Sequence, residues 1–209
     1  MSRLTVGSLE GLSENSNVIS VPTGHTLNVA DAGALQIGGS GVVSAGLVHI
    51  SRTTIGTSVS SVTVSSAFSA DFDVYRVIVN LEAGSTDGQS WLMTFGSTSA
   101  NYYSTKFGYR WSNSTVSAFV NNGAYMDIGA FSNGGGGSLS IDIYDPFATD
   151  QTKVNGTNSY ARATASATGG ALFCAGFLND TTSYTAFTLT TNTGTMSGGT
   201  IDVYGYAGS

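Results

Sequence analysis

Leu139-Ser140-Ile141-Asp142-Ile143 alternates apolar and polar side chains at every step, and Ile201-Asp202-Val203-Tyr204 repeats the pattern near the other end of the chain. Successive side chains of an extended strand point to opposite faces, so this alternation describes strands with one face in a core and one in water. Working outward from these two stretches, strands are expected at 59–65, 74–83, 90–96, 102–111, 115–120, 124–131, 138–144, 159–165, 170–178, 186–191 and 200–206. Gly, Asn, Ser and Asp punctuate them, and Pro146 after Asp145 marks a strand exit because proline removes a ladder donor. About ten short strands joined by such turns imply an antiparallel β-sandwich of jelly-roll type.

Composition points the same way. The 209 residues include 28 Gly, and only 10% are charged, so Ser and Thr fill the polar positions that Glu and Lys would take on helices. No stretch carries Glu/Lys pairs four apart over successive turns, which removes the usual signature of an exposed helix. The formal net charge is −6 and the few Lys and Arg are scattered, the opposite of a nucleic-acid footprint. No apolar run approaches membrane-spanning length, and the opening Met-Ser-Arg-Leu-Thr-Val-Gly lacks the basic and apolar regions of a signal peptide. The expectation is synthesis in a cytoplasm without an export address and without membrane insertion. Cys174, the single cysteine, lies in the apolar run Ala171-Leu172-Phe173-Cys174-Ala175 and reads as an inert core thiol.

Two regions differ in texture. Residues 1–48 hold no aromatic residue, whereas the segments of 49–209 are rich in Phe, Tyr and Trp. Without rings the first region has little with which to build a core of its own. Its strand-like pieces Val18-Ile19-Ser20-Val21, Thr26-Leu27-Asn28-Val29 and Leu35-Gln36-Ile37 are separated by Gly and Pro, as in a chain winding against copies of itself. The reading is a short N-terminal intertwined β stem over 1–48 that trimerises and attaches, followed by a sandwich knob over 49–209. The plainer alternative for the first region is a flexible Gly/Ser leader.

The opening Leu4-Thr5-Val6-Gly7-Ser8-Leu9-Glu10-Gly11-Leu12, followed by Val18-Ile19-Ser20-Val21-Pro22-Thr23-Gly24-His25-Thr26-Leu27 and Asp31-Ala32-Gly33-Ala34-Leu35, resembles the amino-terminal segments of bacteriophage tail-fibre and virion structural proteins, especially those of marine phages. Asp73-Val74-Tyr75-Arg76-Val77-Ile78-Val79-Asn80, Tyr102-Tyr103, Ala186-Phe187-Thr188-Leu189 and Gly199-Thr200-Ile201-Asp202-Val203-Tyr204-Gly205 resemble their distal domains. The resemblance implies a homotrimer of jelly-roll knobs on the virion, in contact with other virion proteins. The chain departs from long fibres in having no evident anchoring domain and no repetitive shaft, so a head fibre or capsid decoration protein of similar build is an alternative. A cellular carbohydrate-binding module is a second.

No cofactor and no metal centre is expected. His25 follows Gly24 in the stem, where threefold symmetry would bring three copies near the axis; the plainer reading is a turn histidine that bonds locally. A serine nucleophile would need a histidine base and a carboxylate, and no Gly-x-Ser-x-Gly elbow accompanies either histidine. Paired acids of a polysaccharide hydrolase would have to come from Asp71, Asp73, Asp127, Asp142, Asp145 and Asp180, most of which fall at strand ends or on polar strand faces. The chain reads as a binder, not an enzyme. Aromatic rings stack on sugar C–H faces while amides and carboxylates take hydroxyls, so Tyr102, Tyr103, Asn179, Asp180 and Tyr184 are the candidate contacts to a host-surface glycan. Those tyrosines would otherwise pack at the sandwich edge. The loops at 84–89 and 133–137 read as flexible tips, because successive glycines are costly to order.

Overall fold

The computed structural model describes residues 46–112, 114–161 and 169–207, together with a short backbone ladder at 36–37 and 40–41. The chain divides into a unit of residues 1–43 and a unit of residues 44–209. In the first, β1 (Gln36–Ile37) pairs antiparallel with β2 (Ser40–Gly41). Of the stem expected over 1–48, the other residues up to 45, His25 included, lie outside the described residues.

In the second unit every regular element among the described residues is a strand. Eight of them, β3 (Gly46–Thr54), β4 (Ser61–Val64), β5 (Val74–Gly84), β6 (Gln89–Phe95), β9 (Met126–Phe131), β10 (Gly137–Tyr144), β13 (Phe187–Thr191) and β14 (Met196–Ala207), form two antiparallel sheets. The orders are β3-β14-β5-β10 and β4-β13-β6-β9, and between consecutive members of this set the chain changes sheet except from β6 to β9. That is jelly-roll connectivity.

Two pairs of strands are inserted into this frame. β7 (Tyr102–Arg110) and β8 (Thr115–Gly123) lie between β6 and β9, while β11 (Thr152–Tyr160) and β12 (Gly170–Leu178) lie between β10 and β13. All four extend the first sheet, giving β3-β14-β5-β10-β11-β12-β7-β8 opposite a sheet of four. β9, at the edge of the smaller sheet, packs across β11, β12 and β7.

The main core follows from one-sided alternation. Tyr75, Val77 and Val79 of β5, Leu139, Ile141 and Ile143 of β10, and Ile201 and Val203 of β14 face Trp91, Met93 and Phe95 of β6 and Phe187 and Leu189 of β13. Each such side chain contributes roughly 1.5–3 kcal/mol on leaving water. Phe68 stands edge-on to Tyr75 at 4.9 Å and stacks on Phe187 at 5.7 Å. The Tyr75 hydroxyl donates to the Ser69 carbonyl and accepts from the Ser69 amide, both at 2.8 Å, tying the loop before β5 to the core.

Three expectations change. Of the strand expected at 159–165, Ser159 and Tyr160 close β11, Thr152–Tyr160, Ala161 lies past its end, and 162–165 lie outside the described residues. The Lys153-Val154-Asn155-Gly156-Thr157-Asn158 of β11 looks like loop because its outward side chains are all polar and one inward side chain is Asn158. β3, Gly46–Thr54, straddles the boundary drawn at residue 48 and belongs to the sandwich sheet. The glycine-rich tip at 133–137 is a pinned turn, with Ser132 and Gly136 exchanging both backbone bonds. Gly136 has φ of 57°, and a Cβ there would lie 1.9 Å from the Leu81 carbonyl oxygen, so the turn needs glycine to lie against β5.

Candidate contact surface

Register places the outward side chains of the eight-stranded sheet in rows across it. One row reads His49, Tyr204, Arg76, Asp142, Asn155, Ala175, Thr105, Phe119 from β3 to β8. The rows divide the face into two chemical halves with a neutral strip between them.

Over β3, β14, β5 and β10 the face is charged, and Asp142 and Asp202 on it are both paired. Arg76 grips Asp142 with two bonds of 2.8 Å, the Tyr206 hydroxyl donates to the same carboxylate at 3.0 Å, and the guanidinium lies 5.5 Å from the Tyr206 ring centre. Arg52 donates to Asp202 at 2.6 Å, with His49 Nε2 3.5 Å away. Partial burial pushes the Asp202 carboxyl up, but the Arg52 hydrogen bond and charge outweigh it and hold the group below the ordinary carboxylate range. The strip that follows carries Ser138, Ser140, Thr157 and Ser159, with Ser138 and Ser159 hydroxyls bonded at 2.8 Å.

Over β12, β7 and β8 the same face is aromatic. Phe173 sits opposite Phe107 with ring centres 5.7 Å apart, and Phe177 sits opposite Tyr103 at 4.8 Å and 5° from parallel. Phe107 is 58% exposed, Tyr109 63% and Phe119 80%. Two shallow grooves flank the Phe173–Phe107 pair. One of ≈ 600 Å³ runs past Tyr103, Thr105, Lys153, Asn155, Ala175 and Phe177. The other, ≈ 650 Å³, lies between Ile78 and the Phe107–Phe173 wall over Ser140 and Thr157.

Beneath this aromatic half the inner face sets polar groups among the buried Tyr102, Val154, Leu172, Cys174 and Leu178. Lys106 of β7, 5% exposed, donates to Asp127 Oδ1 at 2.6 Å, to Ser90 Oγ at 2.7 Å and to the Gly129 carbonyl at 3.1 Å. Burial raises the Asp127 carboxyl above its ordinary value, against the opposing pull of Lys106. Asn158 of β11 accepts from the Ala130 amide and donates to the Ser138 carbonyl, both at 2.8 Å, and Ser104 Oγ accepts from the Asp127 amide at 3.0 Å. Three polar side chains thus tether β9 to the inserted strands. The β6–β9 ladder shifts register between Trp91 and Leu92, leaving Ile128 without a partner beside Asp127. Cys174 is buried on this inner face, and burial, with the nearby Asp127 charge, pushes its thiol up to about 12.

The five residues singled out as glycan contacts separate. Tyr103 lines the first groove. Asn179 is exposed and accepts from Gln151 Nε2 at 2.6 Å, and Gln151 lines that groove too. Tyr102 is fully buried: its hydroxyl accepts from the Phe95 amide at 2.8 Å and donates to the Thr98 carbonyl at 3.1 Å, and burial pushes it up to about 12. Tyr184 is also buried, bonded to Thr98 Oγ1 at 2.7 Å and to Asp180 at 3.0 Å. Asp180 receives the Thr182 amide and hydroxyl at 2.9 and 2.8 Å. Tyr102, Asp180 and Tyr184 are therefore turn-tying groups, and neither buried ring is available to stack on a ligand. Phe107, Phe119, Phe173, Phe177 and Asn155 went unnoticed. The signal for the first four is apolar residues on the strand parity opposite Lys106 and on both parities of β12. Comparison with protein-family models, curated proteins and solved structures finds no match to this chain.

Proposed function

We propose that this protein is a structural subunit of a bacteriophage virion, of fibre or spike type, that works as a homotrimer and meets a host-surface glycan by contact without catalysis. The observation that carries this reading is the outer face of the eight-stranded sheet. It combines uncovered rings with neutral hydroxyls and amides, the mixture that suits sugars and subunit contacts. Arg52–Asp202, Arg76–Asp142 and Lys153–Asp145 satisfy one another there as ion pairs. The Tyr103–Phe177 groove supports the glycan part of the reading. Rings there supply apolar surface, Thr105, Gln151 and Asn155 supply hydrogen bonds, and Lys153 lies 3.4 Å from Asp145.

The test joins solution mass by light scattering to binding on an array of bacterial surface oligosaccharides. The expected result is a trimer that retains at least one oligosaccharide intact, with binding reduced on the order of tenfold or more by Phe177→Ala or Tyr103→Ala, as loss of a buried contact of ~1.4 kcal/mol requires. A compact monomer, or release of reducing ends from a bound glycan, overturns the reading.

A further inference from the structure

A ring of three identical copies closes through a heterologous contact, in which two different patches of each copy meet. The aromatic half of the outer face carries two such patches. The first is a projection: Phe119, in the middle of edge strand β8, stands opposite Thr105 and is 80% exposed. The second is a receptacle: the ≈ 650 Å³ groove between Ile78 and the Phe107–Phe173 wall, with Ser140 and Thr157 on its floor and no charged side chain among the described residues of its lining. We propose that copies of this chain pack through this half-face, Phe119 of one copy seating in the Ile78–Phe173 groove of the next.

Two further observations favour a second copy as the occupant. Exposed edge strands usually carry a charge or proline that blocks further pairing. β8 reads Thr-Val-Ser-Ala-Phe-Val-Asn-Asn-Gly and has neither, whereas the opposite edge, β3, carries His49 and Arg52. The area is also of the right order. Phe107, Tyr109, Phe119 and Phe173, between 45% and 80% exposed, present on the order of 500 Å² of ring surface, against roughly 800 Å² per partner in a standard interface once its polar rim is counted. A patch of that size is at the upper end of what monomers leave bare.

The inference rests on the homotrimer proposed above and adds the surface that builds it. The experiment uses the full chain. The wild type is expected to scatter as a trimer, and Phe119→Ser and Ile78→Glu each as a monomer with unchanged circular dichroism, because both side chains point away from the core. A chain with Phe119→Cys and Thr157→Cys is expected to form disulfide-linked dimers and trimers on non-reducing gels, while either single substitution forms none. The cross-linking arm decides the matter if a surface substitution impairs folding. A wild-type trimer that survives Phe119→Ser and Ile78→Glu, or a double-cysteine chain that stays unlinked, overturns this surface and leaves the trimeric reading standing. A wild-type monomer overturns both.

Discussion

The jelly-roll half of the large sheet and the inserted half are built with opposite polarity. β5, β10 and β14 turn Val77, Val79, Ile141 and Val203 inward and Arg76, Asp142 and Asp202 outward. β7 and β11 turn Lys106, Ser104 and Asn158 inward, and β12 and β7 place Phe173, Phe177, Phe107 and Tyr109 outside. Among the described residues, a small apolar cluster of Ala130, Tyr160 and Leu172, with Val116 against it, stands apart from the main core in the inserted half. In the first half burial holds the strands together and solvent covers the charges. In the second, hydrogen bonds to β9 work beside the burial of Tyr102, Val154, Cys174 and Leu178, and a second apolar surface, the outer rings, is left for something else to cover.

The largest expected effect sets the two halves' ion pairs against each other. Lys106→Met strands the Asp127 carboxylate in a buried site and is expected to cost about 3–5 kcal/mol in urea denaturation, most of it recovered when Asp127→Leu is added. Disrupting the outer Arg76–Asp142 pair is expected to cost about 1 kcal/mol or less, and equal losses would show that the halves are not inverted in energy. Next in size, Asn158→Ala removes the acceptor of the Ala130 amide and is expected to cost about 1–3 kcal/mol.

Acid sharpens the contrast further. Asp202 sits below its ordinary value, so its stabilisation is present above the unfolded carboxylate range, near 4, and lost as pH falls through the folded value. The melting-temperature gap between wild type and Asp202→Asn is therefore expected to close on acidification. Asp127 is raised, so protonation relieves its burial, and the deficit of Lys106→Met is expected to shrink over the same descent. The smallest effect is an absence of reaction. With its thiol pushed up to about 12 by burial, Cys174 is expected to react with thiol reagents at pH 8 only as fast as the domain opens.

What could be read in the sequence follows the same division. β5, β10 and β14 were legible because one face is dry and the other charged, and the alternation states both facts at once. β11 was not, because Lys153, Asn155, Thr157 and Ser159 make its outward positions wholly polar and Asn158 takes an inward one. In β7 the alternation was visible, but it does not say which parity faces the core. Hydrophobicity alone would have turned Phe107 and Tyr109 inward and Lys106 out. The Tyr102-Tyr103 pair held a clue of its own, since neighbours on a strand point to opposite faces and at most one ring could meet a ligand. The tether of β9 depends on Ser90, Lys106, Asp127 and Asn158 converging from four strands, a convergence that no local pattern contains.

The place of β14 in the sheet sets a timetable for the newborn chain. β14 (Met196–Ala207) lies between β3 and β5, so β3 has no ladder to join, and β5 only that of β10, until β14 has left the ribosome. At about 5–20 residues per second, the stretch from Gly84 to Ala207 keeps those edges waiting for roughly ten seconds. During that interval neighbouring chains on one messenger expose the same unsatisfied strands to each other. A protein whose finished form depends on several copies would gain from that crowding, and one expressed too fast would meet its tangles there.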